Sequence, residues 1–170
     1  MSAAAHRDRD SAAAVVGERS AIAWDVLAAV EDPEIPVLTL TDLGVIRFVK
    51  ERPDGVLEVG LSPTYTGCPA VEAIRHSAEQ ALIEAGLAPI EIATMLSPAW
   101  SSTWITPEGR RKLTEYGIAP PADTPADHPV ACPRCGSLNT ERLSRFGSTP
   151  CKALHRCRAC LEPFECFKCI

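Results

Sequence analysis

The sequence predicts an α/β domain, of the α+β type with a small mixed sheet, followed by a cysteine-rich module of the zinc-ribbon type. Three features indicate this organisation. Helix and strand patterns alternate through residues 20–118, a proline-rich linker follows at 119–129, and seven of the eight cysteines lie in residues 130–170. A chain of 170 residues has room for one core-forming domain and one small appendage.

Residues 1–19 are rich in alanine with scattered charges. They lack the uninterrupted apolar core of a secretory signal, so we expect a mobile tail and a cytoplasmic protein. Apolar runs elsewhere are far shorter than the roughly 20 residues of a membrane span, and we expect no membrane partner.

The first helix and a hairpin are predicted in the next part of the chain. The helix covers 20–31, where apolar residues recur at helical spacing, and Pro33 ends it. Two strands, 45–50 and 56–62, flank the turn sequence Pro53-Asp54-Gly55. The two strands are therefore expected to pair as an antiparallel hairpin.

A second helix is predicted over 69–85, where an apolar stripe stops at Gly86. A third strand follows at 90–96. Because a helix connects it to the preceding strand, we expect a right-handed crossover and parallel pairing.

The last helix of the domain is predicted to start at Thr106, with Pro107 in its first turn, and to stop near Gly117. Trp100 and Trp104 precede it and are expected to cover the sheet, because large aromatic side chains dominate small cores.

The first candidate site is the turn Asp32-Pro33-Glu34-Ile35-Pro36. Each proline pushes the residue before it towards extended conformation, so the segment cannot be helical and forms a rigid turn that presents two carboxylates. A solvated acidic loop is the alternative interpretation.

The second candidate is Cys68, in Thr66-Gly67-Cys68-Pro69, where the second helix is expected to begin. The positive end of the helix dipole and unpaired amides would stabilise its thiolate, the form that a nucleophile or soft-metal ligand needs. The alternative is an inert, buried cysteine that fills space. The four histidines show no nucleophile-and-base pattern, which argues against a hydrolase.

The third candidate is a metal site made by two Cys-x-x-Cys turns, Cys132-Pro133-Arg134-Cys135 and Cys157-Arg158-Ala159-Cys160, with 21 residues between them. Two such turns joined by a two-stranded excursion place four thiolates around one centre, which suits zinc. Gly136 fits the tight turn after the first pair. A disulfide framework is the alternative, but such frameworks belong to oxidising compartments.

Cys151, Cys166 and Cys169 remain outside this ligand set. They could be packed structure, alternative ligands or part of an iron–sulfur site. Residues 130–170 also hold seven Lys and Arg against three Glu, a balance of +4 in a chain of net charge −5. A basic module on an acidic body can bind nucleic acid or dock an acidic partner protein.

Several of these motifs carry a family resemblance. The first set is Asp32-Pro33-Glu34-Ile35-Pro36, Asp42-Leu43-Gly44-Val45-Ile46 and Thr64-Tyr65-Thr66-Gly67-Cys68-Pro69. It resembles the SufT-like family of small α/β domains associated with iron–sulfur protein maturation. Adding Phe146-Gly147-Ser148-Thr149-Pro150-Cys151-Lys152-Ala153-Leu154, Glu162-Pro163-Phe164 and Phe167-Lys168-Cys169 makes the chain similar to the PaaD family of phenylacetyl-CoA epoxidase systems. Pro150 and Cys166 depart from that pattern, so Cys166 is not expected to be an essential ligand.

The resemblance implies an accessory or maturation subunit, with no catalytic residue of its own, in a monooxygenase system of aerobic phenylacetate degradation. Its partners would be the oxygenase and reductase subunits of that system. Cys68 would hold iron or an iron–sulfur cluster transiently, with Asp32 and Glu34, and then Cys151 and Cys169, as possible accessory ligands.

Two other functional classes stay open at this point. A nucleic-acid-binding zinc ribbon would explain the basic module and would show affinity that falls steeply with salt. A thiol oxidoreductase would use Cys68 or the cysteines outside the zinc set, and would show a reversible dithiol couple.

Overall fold

The structure, a computed structural model, describes residues 17–65, 67–122 and 129–169. The predicted tail over residues 1–16 and the centre of the predicted linker, residues 123–128, lie outside this range. The elements, in chain order, are α1 (Glu18–Leu27), β1 (Ile46–Glu51), β2 (Leu57–Leu61), α2 (Val71–Glu84), β3 (Ile90–Thr94), a short 3-10 helix (Ser102–Trp104), α3 (Pro107–Tyr116), β4 (Ile118–Ala119), β5 (Thr140–Ser144), β6 (Lys152–Cys157) and β7 (Pro163–Phe167).

The first sheet has the order β1-β2-β3. β1 and β2 pair antiparallel around the Pro53-Asp54-Gly55 turn, and β2 pairs in parallel with β3, which is reached through α2. The predicted hairpin and the predicted parallel crossover pairing are therefore confirmed. α2 buries Ile74, Ala78 and Leu82 in the main hydrophobic core.

Two helix boundaries differ from the prediction. α1 begins at Glu18, inside the predicted tail, and ends at Leu27 rather than at residue 31. It ends early because the next residues turn to meet the segment before β1, where the Leu40 N–H donates to the Val30 carbonyl at 2.9 Å. α2 begins at Val71 and not at residue 69.

α3 has the ends that the sequence predicts. The Thr106 side chain accepts a hydrogen bond from the Gly109 N–H at 3.0 Å, which caps the helix, and Pro107 occupies its first turn. Gly117, at φ 90°, ends the helix in a left-handed conformation that glycine adopts without strain.

The two tryptophans before α3 contribute differently to the core. Trp100 is buried, and its Nε1 donates to the Leu43 carbonyl at 2.9 Å. Trp104 packs against the same core but stays partly exposed, and the Arg47 guanidinium lies 3.5 Å from its ring centroid. The expectation of core cover is confirmed for Trp100 and holds in part for Trp104.

The second sheet has the order β4-β7-β6-β5. β5 and β6 form the antiparallel excursion expected between the two Cys-x-x-Cys turns, and β7 adds to β6. β4 pairs in parallel with β7. The linker was expected to begin at Ala119, but this residue is part of β4, so the chain enters the ribbon sheet directly after α3.

The ribbon packs on the α/β domain through the end of β7 and the start of β6. Phe167 and Cys151 belong to the main core together with Trp100, and the rings of Trp100 and Phe167 lie 5.9 Å apart at 46°. This packing places the Cys151 region of the ribbon over the Cys68 region of the domain. No helix among the described residues is both long and apolar enough to cross a membrane.

Candidate metal centre and the Cys68 cluster

The four predicted ribbon ligands meet at one point. The sulfurs of Cys132, Cys135, Cys157 and Cys160 all lie within 4.8 Å of one another. The sulfurs of Cys132 and Cys160 are 3.7 Å apart, and those of Cys135 and Cys157 are 3.6 Å apart. Because zinc–sulfur bonds are about 2.3 Å, a tetrahedral four-thiolate site has edges of about 3.8 Å, and the observed spacing fits it.

The backbone of the two turns supports this arrangement. The Gly136 N–H donates to the Cys132 carbonyl at 2.8 Å, and the Cys160 N–H points at the Cys157 sulfur at 3.5 Å. This amide, together with that of Ala159, lowers the pKa of Cys157 to about 6. The amide of Cys160 therefore favours the thiolate that a metal requires.

A left-handed residue follows the second cysteine of each pair. In the first turn it is Gly136, at φ 74°, as the sequence predicts. In the second turn it is Leu161, at φ 65°, where no glycine is present. The two turns therefore share one backbone shape although only one has the residue that adopts it without strain.

All eight cysteines lie in the described part of the chain and all are free thiols. Cys166 is buried in the ribbon core, and burial, with the nearby Cys169, raises its pKa to about 12. Cys169 is exposed at the end of β7, where its sulfur lies 3.4 Å from the Ala122 carbonyl. Neither belongs to the four-sulfur group.

The acidic turn is not a solvated loop. Asp32 is only 5% exposed, and its Oδ1 accepts hydrogen bonds from the N–H groups of Glu34 and Ile35, both at 2.8 Å. Burial raises the pKa of Asp32 despite these two bonds. Two carboxylates were expected to be presented by this turn. Glu34 is half-buried and can present its carboxylate, whereas one oxygen of Asp32 is used in hydrogen bonds within the turn.

Cys68 is placed differently from the expectation. The sequence predicted a helix starting directly after it, at Pro69, but Cys68 lies three residues before α2 and is 8% exposed. The Cys68 N–H donates to the Tyr65 carbonyl, and the Cys68 carbonyl accepts from the Val71 N–H, both at 3.2 Å. A tight turn thus holds the thiol against the core.

Tyr65 connects Cys68 to the acidic turn and to the ribbon. Its hydroxyl oxygen is buried and lies beside the Cys68 thiol. Burial and the neighbouring Cys68, Glu34 and Cys151 raise the pKa of Tyr65 to about 12. We call these four residues, Glu34, Tyr65, Cys68 and Cys151, the Cys68 cluster.

The ribbon side of the cluster is Cys151, which the family resemblance implied only as a possible accessory ligand. Cys151 is 4% exposed, and its sulfur lies 3.1 Å from the Thr149 hydroxyl. Lys152 is also buried and pairs with Glu165 at 2.8 Å. Burial and the charge of Glu34 raise the pKa of Cys151, and Lys152 opposes them. No local pattern reveals this placement, because Cys151 lies 83 positions after Cys68 along the chain.

Two family models match the chain. Residues 21–88 match a family described as iron-sulfur cluster assembly protein, and this range contains the acidic turn, Tyr65 and Cys68. Residues 119–168 match a family described as PaaD zinc beta ribbon domain, and this range contains Cys151 and the four-sulfur group.

Solved structures resemble a part of the chain. A domain of unknown function, DUF59, from Bacillus anthracis matches with a TM-score of 0.52 at 22% identity, covering 56% of this chain and 91% of that chain. This likeness supports the α/β fold. A conserved hypothetical protein from Thermotoga maritima matches with a TM-score of 0.47 at 24% identity, covering 58% of this chain and 94% of that chain.

A curated relative matches nearly the whole chain. This protein of Escherichia coli K12, named as a putative subunit of 1,2-phenylacetyl-CoA epoxidase, is 48% identical over 151 residues, which cover 86% of this chain and 91% of that protein. The ribbon match agrees with this relationship. The chain therefore belongs to the PaaD family.

Proposed function

We propose that this protein is an accessory maturation subunit of a phenylacetyl-CoA epoxidase system in aerobic phenylacetate degradation. It assists the assembly of an iron–sulfur or di-iron centre in the oxygenase or the reductase. The observation that carries the proposal is membership of the PaaD family, combined with the iron–sulfur assembly match over the residues that hold Cys68.

In this proposal the ribbon site is structural. Cys132, Cys135, Cys157 and Cys160 hold one zinc ion, which folds a module too small to be stabilised by apolar burial alone. Four protein ligands leave no open position for a substrate, so the zinc takes no part in the transfer of iron.

Cys68 is the functional thiol in this proposal. It takes iron or a cluster as cargo and releases it to the client, with Glu34 as the neighbouring oxygen ligand. Mixed sulfur and oxygen ligation suits iron and avoids the closed, four-thiolate environment that retains zinc. Asp32 acts as a positioning residue, because its Oδ1 holds the backbone amides that orient Glu34.

The ribbon docks the client. A groove of about 640 Å³ has Arg142, Arg145 and Lys168 of this module among its otherwise mostly uncharged lining residues. Arg142 and Arg145 are exposed, so an acidic surface on the oxygenase or reductase would complement them. Zinc binding by four thiolates requires reduced cysteines, which suits a reducing compartment, and we place the protein in the cytoplasm.

A nucleic-acid-binding function is not favoured. Four of the seven cations of the module have acidic partners on the same module: Arg134 with Glu162, Lys152 with Glu165, and both Arg156 and Arg158 with Glu141. These four cations and their three glutamates leave a balance of only +1, and the other three cations, Arg142, Arg145 and Lys168, line one groove and do not form the extended basic stripe that phosphate binding needs. A thiol oxidoreductase is likewise not favoured by the family relationship.

The proposal is tested by co-expressing the protein with the epoxidase subunits. We expect Cys68→Ser to lower the iron and sulfide content of purified oxygenase or reductase, with the accessory protein itself still folded and zinc-loaded. Cys166→Ser is the matched control, because Cys166 is a similarly buried thiol outside both sites. Fully loaded, active epoxidase from the Cys68→Ser strain would overturn the role of Cys68.

A further inference from the structure

The groove on the ribbon module crosses three neighbouring strands. Arg142 of β5 stands opposite His155 of β6, Ala153 of β6 stands opposite Cys166 of β7, and all four residues line the groove. Opposite residues of antiparallel strands lie on the same face of a sheet, so this face forms the floor. Because neighbouring strands are about 4.8 Å apart, the floor from β5 to β7 is roughly 10 Å wide.

The groove carries positive charge that the ribbon does not neutralise. Arg142 and Arg145 are exposed, and neither has an acidic partner among the described residues. Lys168 donates to the Pro150 carbonyl at 2.6 Å, which leaves its charge uncompensated. No Asp or Glu lies among the described residues that line the groove. These three cations therefore attract a negatively charged partner.

The groove also offers an apolar contact and an unused hydrogen-bonding atom. The Phe146 side chain is 63% exposed, and its ring lies 4.2 Å from Lys168 Nζ, so an aromatic ring and a cation stand together in the lining. The Nδ1 of His155 is buried and has no hydrogen-bond partner among the described residues. A buried polar atom without a partner costs free energy, which a bound group with a hydrogen-bonding atom would recover.

We propose that this groove holds an extended acidic segment of the client protein, with carboxylates of the segment against Arg142 and Arg145 and one of its apolar side chains against Phe146. The backbone of such a segment has both donors and acceptors, so it can bond to Nδ1 of His155 in either tautomer. The inference rests on the proposed accessory role. It adds which part of the ribbon recognises the client, and by which chemistry.

The dimensions and the lining favour a peptide segment over a compact anion. A single phosphate group is too small to span a floor roughly 10 Å wide, and it would leave Phe146 exposed. A peptide places charged and apolar side chains on the same short stretch, which matches a lining of cations, one aromatic ring and mostly uncharged residues. A second copy of this chain is the other candidate occupant, because residues 1–129 are acidic overall.

The test uses the zinc-loaded full-length chain, the purified oxygenase and reductase subunits, and a fluorescein-labelled peptide of four glutamates around one tryptophan. We expect the peptide to bind and to displace the subunit that the chain binds. Peptides with glutamine in place of glutamate, or with alanine in place of tryptophan, should bind more weakly. Tripolyphosphate at the same concentration, which has charge and no apolar group, should not displace the subunit.

Variants locate the binding on the groove. Arg142→Gln and Arg145→Gln should each weaken binding of the subunit by about two- to fivefold, as expected for exposed charges, and Phe146→Ala should weaken it as well. Arg156→Gln is the matched control, because it removes the same charge from the module. Arg156 follows His155 in β6, so its side chain lies on the opposite face, where it pairs with Glu141. We expect this variant to bind as the wild type does.

The outcomes separate this inference from the proposed function. Equal weakening by Arg156→Gln would show that the net charge of the module decides binding, and unchanged binding by the three groove variants would show that the client docks elsewhere. Either result overturns the inference, as does the absence of binding by both subunits and the peptide. A dimer of this chain that Arg142→Gln and Arg145→Gln dissociate, measured by sedimentation, would assign the groove to a second copy and also overturn it. Cys68→Ser should bind the client normally, because the maturation role is decided separately by the iron content of the client.

Discussion

Leu161 and Gly136 hold the same left-handed backbone at equivalent positions of the two zinc turns, and only glycine does so without strain. We predict that Leu161→Gly stabilises the zinc-loaded protein by about 0.5–1 kcal/mol, because relief of the left-handed strain exceeds the added flexibility of the unfolded chain. The Leu161 side chain is 71% exposed, so little packing is lost. Denaturant unfolding measures the difference.

Gly136→Ala is the matched control for this prediction. A Cβ at residue 136 would meet no atom within 4 Å, so its cost comes from the backbone angle alone. We expect destabilisation by roughly 1 kcal/mol. A Leu161→Gly protein that is less stable than the wild type would show that the second turn is not strained.

The meeting of the four ribbon sulfurs could be predicted from the sequence, and the surroundings of Cys68 only in part. The relative placement of Cys132 and Cys135 is predictable because only two residues separate them, so a single local turn determines where both sulfurs point. The surroundings of Cys68 are determined by contacts across the fold. Cys151 approaches it from a different module, and Asp32 is committed to its own turn, neither of which is a local property.

At the scale of elements, short sequence motifs correctly predicted the ends of a helix and the position of a turn. The Thr106 cap, Pro107 and Gly117 define α3, and the Pro53-Asp54-Gly55 turn defines the first hairpin. β4 was missed because a strand of two residues has no periodicity of its own. It exists because β7 offers it a partner edge, which is a tertiary effect.

Asp42 joins the turn before β1 to α3, and its charge should make stability depend on pH. Its Oδ2 accepts from Lys112 Nζ at 2.7 Å and from the Thr39 N–H at 3.0 Å. Burial alone would raise the pKa of Asp42, but these hydrogen bonds hold it below the ordinary value of 3.8. The folded protein therefore favours the carboxylate, which stabilises it above that pH and ceases to do so as the pH falls through the folded pKa.

We predict that Asp42→Asn destabilises the protein by roughly 1–3 kcal/mol at neutral pH, because Lys112 loses a partly buried partner. The difference from the wild type should shrink as the pH is lowered below about 4. Asp54→Asn is the control: Asp54 also pairs with a cation, Arg52, but its side chain is 51% exposed. A deficit of Asp42→Asn that is constant between neutral and acid pH would contradict this account.

At the scale of the whole molecule, the two modules share one core. Phe167 is 1% exposed and packs among residues of the α/β domain, and β4 continues from α3 into the ribbon sheet. The sequence predicted two modules joined by a linker, since a proline-rich stretch and a change of composition mark a boundary. Composition does not reveal whether modules dock, because docking depends on which buried side chains face each other.

The shared core predicts that loss of zinc destabilises the α/β domain as well as the ribbon. Helices α1, α2 and α3 all precede the ribbon, so helical circular dichroism reports on the α/β domain. Without zinc we expect the ribbon strands to unfold and Phe167 to lose its buried position beside Trp100. Removing a buried phenylalanine side chain costs about 3–5 kcal/mol, so the Tm of the helical signal should fall by roughly 6–20 °C.

Cys157→Ser removes a thiol of the four-sulfur group, and Cys169→Ser removes a thiol outside it. We expect Cys157→Ser, or chelation of the wild type, to abolish zinc binding and lower the helical Tm, while Cys169→Ser keeps both. Retained zinc in Cys157→Ser with loss in Cys169→Ser would make the ligand set wrong. An unchanged helical Tm after complete zinc loss would mean that the α/β domain is stable without the docked ribbon, and the interface with Phe167 would then contribute little to the fold.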